Sequence, residues 1–284
     1  MEPLVPASWL ADQLGAPDLR VLDASYDALL PGEPPRDHAA EYRAGHVPGA
    51  LFMDLAGFSD TSSDLPSTMP GAAQFAARAA RLGIEPASRI VLYDDAPHHT
   101  AARAWVMLRA FGYERVALLD GGLAAWKRAG LPLEQGDGAV PARAVDAGTG
   151  TGTAGLRDLA AMRSIQRDGS EQIVDARSAA RFTGEEPDPR AGVAPGHMPG
   201  ARNLPYKRLF DEDGRWKRGE ALAAAFRDAG IDLDRPMVMT CGSGITASVL
   251  AFGAHLLGRD AAVYDGSWTE WGADPSTPKA TGAA

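Results

Sequence analysis

Apolar residues along the chain gather in short runs, each followed by a longer stretch in which they recur about every three or four residues. The short runs Arg20 to Asp23, Ile90 to Tyr93 and Val116 to Leu119 are answered later by Ile173 to Ala176, Pro236 to Thr240 and a run ending at Tyr264. Their length and aliphatic content predict strands. The longer stretches Gly71 to Leu82, Thr100 to Phe111, Gly219 to Ala229 and Thr246 to Leu257 predict helices, the second placing Ala101, Trp105 and Leu108 on one face. Strands alternating with helices predict an α/β fold with a parallel sheet, and ligands received beyond the carboxyl ends of its strands.

The pattern occurs twice. The first copy runs through Val21-Leu22-Asp23-Ala24, the turn Gly45-His46-Val47-Pro48-Gly49-Ala50, the strand ending in Tyr93-Asp94, and Leu119-Asp120-Gly121 with Trp126 beyond it. The second runs through Ile173-Val174-Asp175-Ala176, Gly196-His197-Met198-Pro199-Gly200-Ala201, the strand ending in Thr240-Cys241, and Tyr264-Asp265-Gly266 with Trp271 beyond it. The intervals Asp23 to His46 and Asp175 to His197 differ by a single residue. Between the copies, Glu134 to Gly155 contains the Gly-Thr alternation AGTGTGTAG, which breaks every period and predicts a linker. The expected division is 1–133, a linker at 134–155, and 156–284.

Composition narrows the partners. A formal net charge of −9 leaves no basic stripe for a phosphate backbone, which argues against nucleic acid. No stretch approaches the roughly 18 apolar residues of a membrane span, and the start MEPLVPASWLADQLG lacks a secretory pattern, so a cytoplasmic protein is expected. The single cysteine, Cys241, excludes an internal disulfide, a Cys-x-x-Cys redox pair and a multi-cysteine zinc site. It is either a buried packing residue or a reactive thiol.

Comparing the copies separates scaffold from chemistry. His46 and His197 recur in the same turn and are read as turn-fixing, as Asp23 and Asp175 are read as structural. His98 and His99 occur once, but neighbours on extended chain point to opposite sides, which argues against a metal pair. The copies diverge most after the third strand, where Tyr93-Asp94-Asp95-Ala96-Pro97 is replaced by Thr240-Cys241-Gly242-Ser243-Gly244-Ile245-Thr246-Ala247. Gly242 and Gly244 permit a tight curl in which backbone N–H groups and a helix N-terminus face the sulfur, an arrangement that stabilises a thiolate or a Cys–S–S⁻. This favours the reactive reading. A cysteine phosphatase would need an arginine six residues after the nucleophile, where Ala247 stands. A papain-like Cys–His pair is disfavoured because the repeated histidines are structural.

At these residues the sequence resembles the tandem rhodanese-domain sulfurtransferases, and among them the mercaptopyruvate sulfurtransferase branch. The resemblance spans nearly the whole chain and rests on Cys241 to Ala247, the Gly-His-x-Pro-Gly-Ala turns, Leu119 to Gly122 with Trp126, and Arg181 to Arg190. It implies two tandem rhodanese-like domains, each a parallel sheet flanked by helices, the first carrying Asp94 in place of the cysteine. It also implies that Cys241 takes sulfur from a donor as a persulfide and passes it to a thiol, cyanide or thioredoxin-like acceptor, without metal or cofactor. Cys241, Gly242, Ser243, Gly244, Ile245 and Thr246 then form the catalytic loop, with Ser243 serving substrate or leaving group. Arg181 and Arg190 hold the donor's carboxylate, a task that suits the guanidinium fork. Leu29 answers to Arg181 in the first copy and Arg36 to Arg190, which gives Arg181 the stronger claim. Relatives in this branch place an acid and a histidine in the first domain where this chain has Ala56 and Ser67, so no proton relay through that pair is expected.

Two donors remain open. Glycine and serine after Cys241, where thiosulfate-preferring relatives carry arginine and lysine, favour 3-mercaptopyruvate over thiosulfate. A module that binds sulfur without turnover is the reading from another class, and the intact loop favours the enzyme.

Overall fold

Branched aliphatic runs build two sheets in this computed structural model, which describes residues 1–27, 34–139 and 150–283. In the first, β1 (Leu4–Val5), β2 (Leu19–Asp23), β3 (Leu51–Phe52), β4 (Arg89–Tyr93) and β5 (Val116–Leu119) lie in the order β1-β5-β4-β2-β3. In the second, β6 (Leu156–Arg157), β7 (Gln172–Asp175), β8 (Arg202–Asn203), β9 (Met237–Thr240) and β10 (Ala262–Tyr264) lie in the order β6-β10-β9-β7-β8. The order is the same, and every pairing is parallel. The chain divides into Met1–Ser62 with Met69–Ala154, and Ser63–Thr68 with Gly155–Ala284.

Helices cover both sheets. The first unit carries α1 (Ala7–Gln13), α2 (His38–Ala44), α3 (Leu55–Phe58), α4 (Ala72–Arg81), α5 (Ala101–Ala110) and α6 (Gly122–Arg128). The second carries α7 (Leu159–Asp168), α8 (Ala179–Thr183), α9 (Gly219–Arg227), α10 (Ile245–Leu256) and α11 (Ser267–Ala273), with a 3₁₀ turn at Tyr206–Leu209 where the first has α3. The predicted helices fall on α4, α5, α9 and α10 to within two residues at each end. In α5 and α10 burial extends around nearly the whole circumference rather than one face.

The repeated residues anchor the scaffold. His46 Nδ1 lies 2.8 Å from the Tyr42 carbonyl and its ring stacks on Tyr42; His197 Nδ1 lies 2.8 Å from the Phe182 carbonyl and stacks on Phe182. Both backbones form antiparallel bridges, to Glu134 and to Ala280. Trp126 and Trp271 are fully buried, and their indole N–H groups donate to Pro132 and Pro278 carbonyls at 2.8 and 2.9 Å. Truncating either ring would cost about 3–5 kcal/mol, so these tryptophans belong to stability.

After α6 the chain runs back along α2: Gly136 N–H donates to the Arg43 carbonyl and Gly138 N–H to the Tyr42 hydroxyl. Residues 140–149 of the expected linker, and Leu29, lie outside the described residues. No helix among the described residues is long and apolar enough to cross a membrane.

Register decides where chemistry can occur. In the second sheet β7 and β9 pair from Gln172↔Met237 to Asp175↔Thr240, so the segments beginning at Ala176 and Cys241 emerge side by side. From β7 the chain proceeds toward β8, and from β9 toward β10, on opposite sides. This is the topological switch point, where open α/β sheets form their ligand crevice.

Candidate active site

Cys241 follows β9 directly, and its residue is 2% exposed. Gly244 N–H donates to its sulfur at 3.1 Å. Gly244 takes φ +83° as the residue before α10, a left-handed conformation that favours glycine and folds the loop back over the sulfur. α10 starts at Ile245, so the first N–H groups of its leading turn have no partner within the helix. Ser243 and Ile245 are buried and Thr246 is half-buried.

A second loop holds the first. Trp268 N–H donates to the Cys241 carbonyl at 2.9 Å, and Thr269 donates to the Gly242 carbonyl from both N–H and hydroxyl, at 3.0 and 2.6 Å. The hydroxyl of Ser267 accepts from Cys241 N–H at 3.3 Å and donates to the Tyr264 carbonyl at 2.9 Å. These three residues escaped the sequence reading. The copies carried the signal, since Ser267, Trp268 and Thr269 stand where the first copy has Gly122, Leu123 and Ala124.

Gly242 does not adopt a left-handed conformation, and two arginine side chains lie beside it. A methyl group at this position would lie 3.2 Å from Arg190 Nη1 and 3.5 Å from Arg181 Nη2. Both guanidinium groups therefore reach the residue next to the cysteine. The strand end explains their placement: Ser178 caps α8 by accepting from Arg181 N–H, and this short helix directs Arg181 inward, its side chain 9% exposed.

Between the two arginines lies Asp188, whose side chain is 1% exposed. It accepts from Arg181 Nη2 at 2.6 Å through one oxygen, and from Arg190 N–H and Nη1 at 3.1 and 3.5 Å through the other. Arg181 Nε is buried without a hydrogen-bond partner. Behind this group, Arg177 donates to both oxygens of Asp175 and to the Gly196 carbonyl, and its guanidinium lies 4.5 Å from the Trp268 ring centroid. Arg177 thus ties the end of β7 to the His197 turn and to α11. In the first unit its place is taken by Ser25, whose N–H donates to Asp23 at 2.9 Å, and burial raises the Asp23 pKa.

The equivalent loop of the first unit is closed by its own side chain. Leu123 N–H donates to the Asp94 carbonyl at 3.0 Å, repeating the Trp268–Cys241 bond. The Asp94 carboxyl accepts from Ala101 N–H at 2.7 Å, at the start of α5. Burial pushes its pKa up to about 7 against the lowering effect of these loop amides. In this loop the helix-end donor serves Asp94 itself.

The sequence profile of the rhodanese-like domain matches residues 6–129 and again residues 158–274. The chain belongs to the rhodanese-like domain family. It carries two such domains in tandem and is an enzyme of the sulfurtransferase class. It is 41% identical over 275 residues to human 3-mercaptopyruvate sulfurtransferase, covering 94% of this chain and 91% of that protein. It is 38% identical over 297 residues to the Arabidopsis thaliana mitochondrial thiosulfate/3-mercaptopyruvate sulfurtransferase 1, covering 98% and 78%. The crystal structure of SseA from Escherichia coli, a 3-mercaptopyruvate sulfotransferase of rhodanese fold, superposes with a TM-score of 0.84 at 36% identity, covering 94% of this chain and 99% of that one.

Proposed function

We propose that this rhodanese-like enzyme transfers sulfur from 3-mercaptopyruvate to a thiol or cyanide acceptor through a persulfide on Cys241. The observation that carries transfer from an anionic donor is the convergence of Arg181 and Arg190 on Gly242, beside the buried cysteine, and Gly242 and Ser243 in the two places after it favour 3-mercaptopyruvate as that donor. The guanidinium groups bind the donor's carboxylate while its thiol sulfur meets Cys241. The Cys241 thiolate attacks that sulfur, an S–S bond forms and the donor's C–S bond breaks. The bonding pair passes to carbon, which takes up the proton the donor thiol gives up. The products are Cys241–S–S⁻ and pyruvate. Gly244 N–H and the open amides of α10 receive the persulfide's charge, and Ser243 serves the donor's carbonyl. An acceptor thiolate or cyanide then attacks the outer sulfur and restores the Cys241 thiolate. A thioredoxin-like protein would supply such a thiol. A reducing compartment such as the cytoplasm suits a mechanism that depends on one unoxidised cysteine.

Thiosulfate is the second reading, and the same convergence favours it: the sequence led to expect cations only at the far end of the donor, yet both guanidinium groups reach the residue beside the cysteine. The Arabidopsis relative carries both donors in its name. Steady-state comparison of the two donors tests the assignment. We expect kcat/KM for 3-mercaptopyruvate to exceed that for thiosulfate by at least about tenfold, or about 1.4 kcal/mol of transition-state discrimination. Equal or better use of thiosulfate would transfer the assignment to that donor.

A further inference from the structure

We propose that Asp188 is a specificity-determining residue that matches the site to a singly charged donor by cancelling one of its two positive charges. The proposal rests on the sulfurtransferase reading of Cys241 given above. Arg181 and Arg190 bring two cations to Gly242, and the buried Asp188 contacts both, leaving the group a net charge of +1. 3-Mercaptopyruvate presents one negative charge, its carboxylate, and thiosulfate presents two. A buried anion between the arginines repels an approaching dianion about twice as strongly as a monoanion at the same distance, because Coulomb energy scales with the product of charges.

Both oxygens of Asp188 accept, one from Arg181 and the other from Arg190, so Asp188→Asn removes the charge together with one acceptor, whereas Asp188→Glu keeps both. Asp188 therefore has two separable effects: it aligns the guanidinium groups, which serves every donor, and it sets their summed charge, which distinguishes donors. It touches no reacting atom, so it is a positioning residue acting through Arg181 and Arg190.

The experiment measures kcat/KM for both donors in wild type, Asp188→Asn and Asp188→Glu, with circular dichroism confirming the fold of each. In Asp188→Asn the ratio of thiosulfate to 3-mercaptopyruvate efficiency should rise by about tenfold, whatever happens to the absolute rates. Asp188→Glu, which keeps the charge, should hold the wild-type ratio within about twofold. A ratio unchanged in Asp188→Asn, both donors losing alike, would overturn the proposal. So would neutral variants, Asp188→Asn and Asp188→Ser, that fail to fold while Asp188→Glu folds, since that assigns Asp188 to stability. The donor assignment is read from the wild-type ratio and the charge effect from its change on substitution, so either can fail without the other.

Discussion

Ser267 holds the amide of Cys241 through its hydroxyl while its own backbone sits at φ +50°, a left-handed conformation uncommon for a residue with a β-carbon. Its counterpart in the first copy is Gly122, at φ +57°. The conformation belongs to the fold, and the serine is the departure from it. Such strain costs about 1–3 kcal/mol and is kept where the side chain serves a purpose. Ser267→Gly should therefore leave the unfolding midpoint unchanged or slightly raised, and lower kcat severalfold as the loop loses its tether. Thermal melts and steady-state rates on the one variant check both halves. A fall in stability with unchanged kcat would assign the hydroxyl to folding alone.

Cys241→Ser tests the persulfide directly. Oxygen in place of sulfur is nearly isosteric, and the Trp268 and Ser267 bonds are made by the Cys241 backbone, so the melting temperature should move by no more than about 2 °C. Sulfur transfer should fall by about a thousandfold or more. Mass spectrometry after incubation with donor should give an adduct of about 32 Da on wild type and none on the variant. Wild-type protein that turns over donor without that adduct would refute the mechanism.

Much of this arrangement was legible before any coordinates, because the duplication supplied a comparison within one chain. The strand runs, the main helices and the structural roles of His46 and His197 follow from periodicity and repetition. β1, β3, β6 and β8 were not found, since two residues cannot display a period; they form by pairing at or near sheet edges with longer strands that already exist. Arg181 and Arg190 were named from their loop, but nothing in their spacing placed them at Gly242, which depends on β7 and β9 ending level. Asp188 was missed because an acid among prolines in a charged loop reads as solvated surface. Arg177 was missed because the Asp before it, common to both copies, drew the comparison away from the serine-to-arginine difference two residues on.

Asp94 predicts a pH effect confined to the first unit. Burial raises its pKa to about 7, so between the ordinary carboxylate range and pH 7 the folded state keeps a proton that the unfolded chain has released. Stability contributed by this group is therefore lost as pH rises through that window, by at most about 1.4 kcal/mol per pH unit. Asp94→Asn preserves an oxygen for Ala101 N–H and has no proton to lose. The variant should gain stability over wild type as pH goes from 5 to 8, as measured by denaturant unfolding at each pH. A stability difference that does not change with pH would show that Asp94 is not the titrating group.

On the proposed reading Arg181 contributes shape as well as charge, and Arg181→Lys separates the two. Lysine keeps the positive charge, so the electrostatic balance with Asp188 is preserved, but it replaces a planar fork with a single ammonium. In the folded protein one arm of Arg181, Nη2, is held by Asp188 at 2.6 Å, while Nε is buried without a partner. An ammonium drawn to Asp188 would leave nothing to complete a two-point grip on a carboxylate. Use of 3-mercaptopyruvate, which needs its carboxylate held at a fixed distance from the transferred sulfur, should fall by about ten- to a hundredfold in kcat/KM. Thiosulfate has no such arm to orient, and its efficiency should fall by less. The donor ratio in Arg181→Lys should thus move toward thiosulfate through loss of geometry with the positive charge retained, whereas the shift in Asp188→Asn comes with a change of charge. Equal losses for both donors in Arg181→Lys would show that Arg181 acts as a point charge and not as a carboxylate fork.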